Sequence, residues 1–261
     1  LSIIFSSNPV HNLSNALVII PTYNERENIE AILRAVLSLP DQFQVLIVDD
    51  GSPDGTAEIV RGLQSNEFAG RVHLLERSGK LGLGTAYIAG FKWGIDKGYD
   101  YLFEMDADFS HDPNDLPRLL RKCVEEGADV AVGSRYCKGG KVVNWPFDRI
   151  FLSMGASIYV RLVLWMPVAD PTAGFIVYKR SVLEAIDFDK IRFIGYAFQI
   201  EMKYAAYALG YQVKEVPITF KDREKGQSKM SLKIIREAIL GVLEMRWIAL
   251  VSSFRKKKSG E

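Results

Sequence analysis

Between Leu17 and Gly133 the sequence alternates short β-branched apolar runs with longer stretches of helical spacing, separated by turns rich in Gly, Pro, Asn and Asp. The runs Ala16–Ile20, Gln44–Val48, Val72–Leu75, Tyr101–Met105 and Asp129–Val132 read as strands. Strands that alternate with helical stretches build βαβ units, whose crossover helices cover both faces of a parallel sheet. Such crossovers are right-handed, and ligands of these sheets bind beyond the carboxyl ends of the strands. The chain is therefore read as α/β, with a mostly parallel sheet flanked by helices.

The second half is less regular. Ala173–Tyr178 and Val213–Phe220 read as strands, and Tyr196–Leu209 and Ser231–Val251 as helices. No repeat or low-complexity linker divides the chain, so residues 16–230 are expected to form one domain. Residues 1–15 form an N-terminal extension, and residues 231–261 an amphipathic helix with a basic tail. At 261 residues and 48% hydrophobic, the chain can bury a full core. Its 33 basic and 32 acidic side chains nearly cancel, so no overall field favours nucleic acid. Cys123 and Cys137 form no CxxC pair, which fits a reducing compartment and a cytoplasmic location. Leu1–Asn15 lacks a basic leader and a cleavage site, so no secretory signal is expected.

Three polar segments follow apolar strands directly: Pro21-Thr22-Tyr23-Asn24-Glu25, Asp49-Asp50-Gly51-Ser52 and Asp106-Ala107-Asp108. In a parallel sheet they would share one crevice. Two carboxylates one residue apart suit Mg²⁺ or Mn²⁺, hard cations that take oxygen ligands and usually share them with nucleotide phosphates. The rival reading of the triplet is a cap for the helix that Pro113-Asn114-Asp115 announces. An aromatic, a Glu and four Asp at equivalent positions favour a nucleotide-sugar site over three ordinary turns. His73 lies inside a strand run, His111 belongs to the turn before Pro113, and Glu201 either faces the sugar or shapes the site; none is read as a catalytic base.

Together with Lys80-Leu81-Gly82-Leu83-Gly84 and Gly133-Ser134-Arg135-Tyr136, these segments resemble the inverting GT-A glycosyltransferases of family 2, which have a Rossmann-like fold. Within that family the chain is similar to the polyprenol-phosphate (dolichol-phosphate) mannose synthases, over about Leu17 to Leu232. The resemblance implies that Pro21, Tyr23, Glu25, Val48 and Asp50 hold the nucleoside of GDP-mannose, and that Asp106, Ala107 and Asp108 lie near its diphosphate. It implies catalytic roles for Asp106, Asp108 and Arg135, and a metal held by Asp106, Asp108 and Ser110. The family commonly has Gln where this chain has Ser110, so water would complete the shell. Arg223-Glu224-Lys225-Gly226-Gln227-Ser228-Lys229 resembles a lid, with Arg223 and Lys229 on the leaving GDP. Arg135, Arg149 and Ser153 match a lipid-phosphate site for a polyprenyl-phosphate acceptor. The rival for Arg149 is a salt bridge beside Asp148.

Ile150–Met166 is apolar but is interrupted by Arg161 and stops at Pro167, so it reads as an amphipathic interface helix able to guide a polyprenyl tail. A helix buried in the core is the alternative. Ser231–Val251, Trp247 and the cluster Arg255-Lys256-Lys257-Lys258 suggest peripheral contact with the cytoplasmic face of a membrane, or a membrane-anchoring partner. Other readings are a UDP-glucose or UDP-GlcNAc transferase acting on the same lipid, and a noncatalytic nucleotide- or membrane-binding subunit. No QxxRW signature of processive polymerases is present.

Overall fold

The computed structural model describes residues 15–222 and 238–249. Its centre is a seven-stranded sheet in the order β3-β2-β1-β4-β7-β5-β8. The strands are β1 (Ala16–Thr22), β2 (Gln44–Asp49), β3 (Val72–Glu76), β4 (Tyr101–Glu104), β5 (Val130–Ser134), β7 (Ile176–Lys179) and β8 (Val213–Pro217). Neighbouring pairs are parallel except where β7 inserts antiparallel between β4 and β5. The five amino-terminal strands lie where the apolar runs predict, and β1 and β2 extend through the polar residues Thr22 and Asp49.

Two cores follow from the period-two alternation of side chains along each strand. Ala16, Val18 and Ile20 of β1 face α1 (Ile29–Leu37), α2 (Thr56–Asn66) and α4 (Leu116–Val124). Leu17 and Ile19 face the other way, toward α3 (Leu83–Asp96), α6 (Arg180–Ala185) and α7 (Ala197–Ala208). Both faces are apolar, as a buried parallel sheet requires.

The stretch read as one strand, Val213–Phe220, is two. After β8 the chain leaves the main sheet at Ile218, and β9 (Thr219–Lys221) pairs with β6 (Lys141–Val143) in a separate two-stranded sheet. Pro217 has no N–H with which to continue the first ladder. Strand β7 begins at Ile176 and not at Ala173, because residues 170–174 are drawn into the site described below. Ile150–Met166 falls on α5 (Phe147–Leu164), whose Phe147, Phe151 and Leu162 are exposed while Val160 and Leu164 pack beneath. It is not the helix buried on all sides that was the alternative. Residues 238–249 are helical and pack on α5 through Val242 and Met245. Among the described residues no helix is long and apolar enough to cross a membrane.

Helix α3 approaches β1 closely at Gly90, where a Cβ would lie 2.6 Å from Ile19 Cγ2. Alanine ordinarily stabilises a helix interior by about 1 kcal/mol over glycine. Here the β-branched Ile19 side chain has little room to yield, so Gly90→Ala is expected to destabilise the fold by about 1–3 kcal/mol, the range for overpacking. A denaturant midpoint at or above that of the parent would show that the contact relaxes freely.

Candidate active site

Strands β1, β2 and β4 run in the same direction, with Thr22 opposite Asp49 and Ile19 opposite Glu104. The three polar segments therefore leave the sheet at one edge. Asp49 binds the first two to each other and is itself structural: its Oδ1 accepts hydrogen bonds from Thr22 Oγ1 at 2.8 Å and Ser52 Oγ at 2.6 Å, and its Oδ2 accepts from Ser52 N at 2.8 Å. Ser52 Oγ in turn accepts from Asn24 N at 3.0 Å, holding Asn24 in a left-handed conformation beside Tyr23. Glu25 is fixed through its backbone N–H, donated to Thr56 Oγ1 at 3.1 Å.

Asp50 takes a different partner. Its Oδ1 accepts from Arg77 Nε at 2.6 Å and its Oδ2 from Leu81 N at 3.2 Å, and Arg77 also donates to Thr85 Oγ1 at 2.8 Å. This nearly buried pair ties the end of β2 to the Lys80–Gly84 segment, so that Lys80 Nζ sits 4.9 Å from the Tyr23 ring centroid. Pro21 pairs in register with the buried Val48, beneath the same corner.

The Asp106–Asp108 turn is shaped from beneath. Asp108 Oδ1 accepts from Ser110 N at 3.0 Å, Phe109 has φ 59°, and Asp106 N donates to His111 Nδ1 at 3.4 Å. An Nδ1 that accepts leaves the His111 proton on Nε2. The ring is buried and stacks on Phe175 at 4.9 Å. Burial pushes its pKa down to about 4, against the pull of Asp108, so it is neutral near pH 7. His111 is therefore a strut within the turn. Two carboxylates separated by the buried Ala107 supply hard oxygen ligands and leave the rest of a cation's shell to phosphate oxygens and water, a donor set that suits Mg²⁺ or Mn²⁺. Among the described residues no cluster of three or more His, Cys, Asp or Glu could enclose a metal by itself.

Arg135, at the end of β5, is held rigidly. Its Nε donates to Asp170 Oδ2 at 2.7 Å and its NH2 to Asp170 Oδ1 and Thr172 Oγ1, both at 2.7 Å. Burial opposes the charge on both partners; the ion pair overcomes it, raising the Arg135 pKa and lowering that of Asp170. Lys203 Nζ donates to Ala173 O at 2.6 Å, fixing the same 170–174 loop from α7. Burial pushes Lys203 down to about 8 and its neighbour Glu104 up to about 8, each partly countered by the other.

Arg149 lies with its Cζ 3.9 Å from the Trp145 ring centroid and donates to Asp222 Oδ1 at 2.9 Å; the expected rival, Asp148, is not its partner. Ser153 and Ser157 continue the same face of α5, and Ser157 Oγ lies 3.4 Å from Thr172 Oγ1, next to Arg135. Lys221 N donates to Ser110 O at 3.3 Å, and Phe220 packs between His111 and Trp145 at centroid distances of 5.5 and 5.3 Å. The structure thus brings Arg135, Arg149 and Ser153 to one wall beside the Asp106–Ser110 turn. Arg223 and Lys229 lie outside the described residues. Glu201 is structural, its Oε2 accepting from Arg192 N at 2.9 Å and Phe193 N at 3.0 Å.

Sequence reasoning missed Arg77, Asp170, Thr172 and Trp145. Arg77, Asp170 and Thr172 act across long chain separations, whereas Trp145 stacks on Arg149 only four positions away and packs on the distant Phe220; only the polar run Asp170-Pro171-Thr172 before an apolar strand hinted at a site.

A family model described as glycosyl transferase family 2 matches residues 17–187. The chain is 50% identical to polyprenol monophosphomannose synthase of Mycolicibacterium smegmatis, covering 90% of this chain and 88% of that protein. It is 46% identical to undecaprenyl-phosphate mannosyltransferase of Micrococcus luteus, covering 90% and 96% respectively. Glucosyl-3-phosphoglycerate synthase from Mycobacterium tuberculosis, crystallised with Mn²⁺, uridine diphosphate and phosphoglyceric acid, superposes with a TM-score of 0.63 at 18% identity, over 88% of this chain and 78% of that one. At that identity the likeness concerns the fold, which is GT-A.

Replacing Asp170 by Asn would leave the Arg135 charge buried without its counter-ion. Breaking a buried pair on one side costs about 3–5 kcal/mol. Asp170→Asn is expected to lower unfolding stability by about that amount, and Thr172→Val by about 1 kcal/mol. Equal losses in the two variants would deny the ion pair its structural role.

Proposed function

The chain belongs to glycosyltransferase family 2, and from that premise we propose that it transfers mannose from GDP-mannose to a polyprenyl phosphate, forming polyprenyl-phosphate β-mannose. The observation that carries this reading is the continuous wall from the Asp106–Asp108 turn, through the Ser110–Lys221 contact, to Asp222 and Arg149. In this reading a nucleoside diphosphate lies beside a second phosphate along that wall. The two mannosyl-transferring relatives, matched along nearly their full length, supply the sugar and the lipid class.

In this reading the nucleoside lies over Pro21, Tyr23, Glu25, Val48 and Asp50, with Arg77 fixing the Asp50 carboxylate that accepts from base or ribose. Asp106 and Asp108, with Ser110 adjacent, would hold Mg²⁺ or Mn²⁺, which supplies positive charge for the departing diphosphate. Arg223 and Lys229, outside the described residues, are assigned the further positive charge that the leaving diphosphate requires. Arg135, Arg149 and Ser153 receive the lipid phosphate, whose oxygen attacks the anomeric carbon as the bond to GDP breaks, turning an α linkage into a β linkage. A phosphate monoester is largely ionised near neutral pH. The acceptor therefore needs alignment and charge matching more than deprotonation. The exposed apolar face of α5 supports peripheral contact with a membrane, which this reading assigns to the cytoplasmic side, alone or with an anchoring partner.

The test is transfer of label into the lipid phase from a panel of nucleotide sugars, given a polyprenyl phosphate and Mg²⁺ or Mn²⁺. GDP-mannose is expected to be the donor; labelling only from UDP-glucose or UDP-GlcNAc would replace the sugar and base assigned above. Asp108→Ala is expected to lower turnover about 10²–10³-fold, the scale for losing one electrostatic contact to developing charge. Arg149→Ala is expected to raise the KM for lipid phosphate more than that for the donor, and the opposite split would remove Arg149 from the acceptor site.

A further inference from the structure

At the carboxyl end of α5, Ile158, Arg161, Leu162, Trp165, Met166 and Pro167 line a cavity of about 300 Å³. It is distinct from the acceptor wall, since Arg161 lies about 18 Å along the helix from Arg149 at 1.5 Å per residue. Trp165 closes α5 in a left-handed conformation, with φ 54°, and is 73% exposed as a residue. Arg246, from the helical residues 238–249, lays its guanidinium 4.0 Å from that ring's centroid. Arg149 pairs with Asp222 and Arg192 with Glu244, whereas no ion pair among the described residues includes Arg161 or Arg246. Ile158 and Leu162, which line the cavity with Arg161, are exposed, as are Phe151 farther along α5 and Leu243, Trp247 and Ile248 on the helix that carries Arg246.

We infer that this cavity is a binding site for the phosphate headgroup of an anionic membrane phospholipid, separate from the polyprenyl-phosphate site. The inference rests on the function proposed above only in that the acceptor's tail must lie in a bilayer. Two guanidiniums without carboxylate partners among the described residues, beside exposed apolar side chains, match a leaflet that offers phosphates at the level where acyl chains begin. Arginine suits this task because its planar donor fork engages two phosphate oxygens at once. A tryptophan at the rim suits it as well, since its amphipathic ring settles at the headgroup level. A protein partner would have to bring carboxylates to both arginines within an otherwise apolar contact; a phospholipid provides anion and hydrocarbon together. Continuity with Arg149 and Ser153 on the same helix means that one leaflet could contact the headgroup site and deliver the acceptor.

The experiment measures partition of the full chain onto vesicles of phosphatidylcholine alone and of phosphatidylcholine mixed with phosphatidylglycerol. Phosphatidylglycerol is expected to tighten binding of the parent. The double variant Arg161→Gln/Arg246→Gln is expected to lose about 10- to 30-fold in partition on the mixed vesicles, the scale for two cations at an anionic surface, and little on phosphatidylcholine alone. The control Lys92→Gln/Lys97→Gln, on and just beyond α3, is expected to bind as the parent does. A parent indifferent to phosphatidylglycerol, a double variant that binds like the parent, or a control that loses as much would each overturn the site. In detergent with a short-chain polyprenyl phosphate, the double variant is expected to keep the parental transfer rate; a fall matching its vesicle loss would overturn the separation of the two sites. A parent that prefers anionic vesicles but glycosylates no lipid would refute the proposed function and leave the headgroup site standing.

Discussion

The shared direction of β1, β2 and β4 is the constraint on which the site depends. Their registers bring Thr22 beside Asp49 and leave Asp106 two residues past Glu104, at the same edge of the sheet. Apolar side chains on both faces of these strands require helices above and below, and each helix returns the chain to the opposite edge before the next parallel strand. Every polar segment that ends such a strand is thus delivered to one crevice, however far apart the segments lie in sequence.

Within the crevice, ion pairs turn nearness into fixed geometry. Arg77 with Asp50 and Arg135 with Asp170 are both removed from bulk water, where an arginine–carboxylate pair is screened less and its fork geometry is enforced by packing. Each joins the end of a strand to a loop that no strand holds: Lys80–Gly84 in one case, Asp170–Gly174 in the other. Burial of such pairs is a poor source of net stability compared with apolar packing, but it sets direction. Arg135 is therefore a guanidinium whose position is decided before any ligand arrives, and the same holds for the Asp50 carboxylate.

The parallel half of the fold was legible because its signal is local: apolar runs such as Val45–Val48 end in Asp or Pro-Thr, and one run predicts one strand. The carboxyl-terminal half resisted for physical reasons. Lys141–Val143 is too short and too exposed to announce a strand, and it forms one only because β9 comes to pair with it. The break at Ile218 depends on which partner each half of Val213–Phe220 finds, a fact held in β5 and β6 and not in the stretch itself. At the site, Asp106, Asp108 and Asp50 were readable from their places after strands. Asp170, the partner of Arg135, was not, because its meaning comes from a residue 35 positions earlier. The resemblance to a family carried Arg149 and Ser153, which composition and periodicity alone would have left on an amphipathic helix.

Three side chains of the kinds often enlisted as bases are, near the crevice, either hydrogen-bonded into the fold or shut away from solvent. His111 is neutral, and its Nδ1 accepts from the backbone of the very turn it supports. Glu201 clamps the amides of Arg192 and Phe193, and Glu104 is wholly buried with its proton held up to about 8, chiefly by burial. A hydroxyl acceptor, with a pKa far above neutrality, would need one of them released to take its proton. A phosphate monoester carries its nucleophilic oxygen already ionised, and asks of the protein only cations in the right place. An arrangement in which Glu201 is used as a strut and Glu104 is sealed in the core, with arginines along the wall beside them, is matched to the second kind of acceptor.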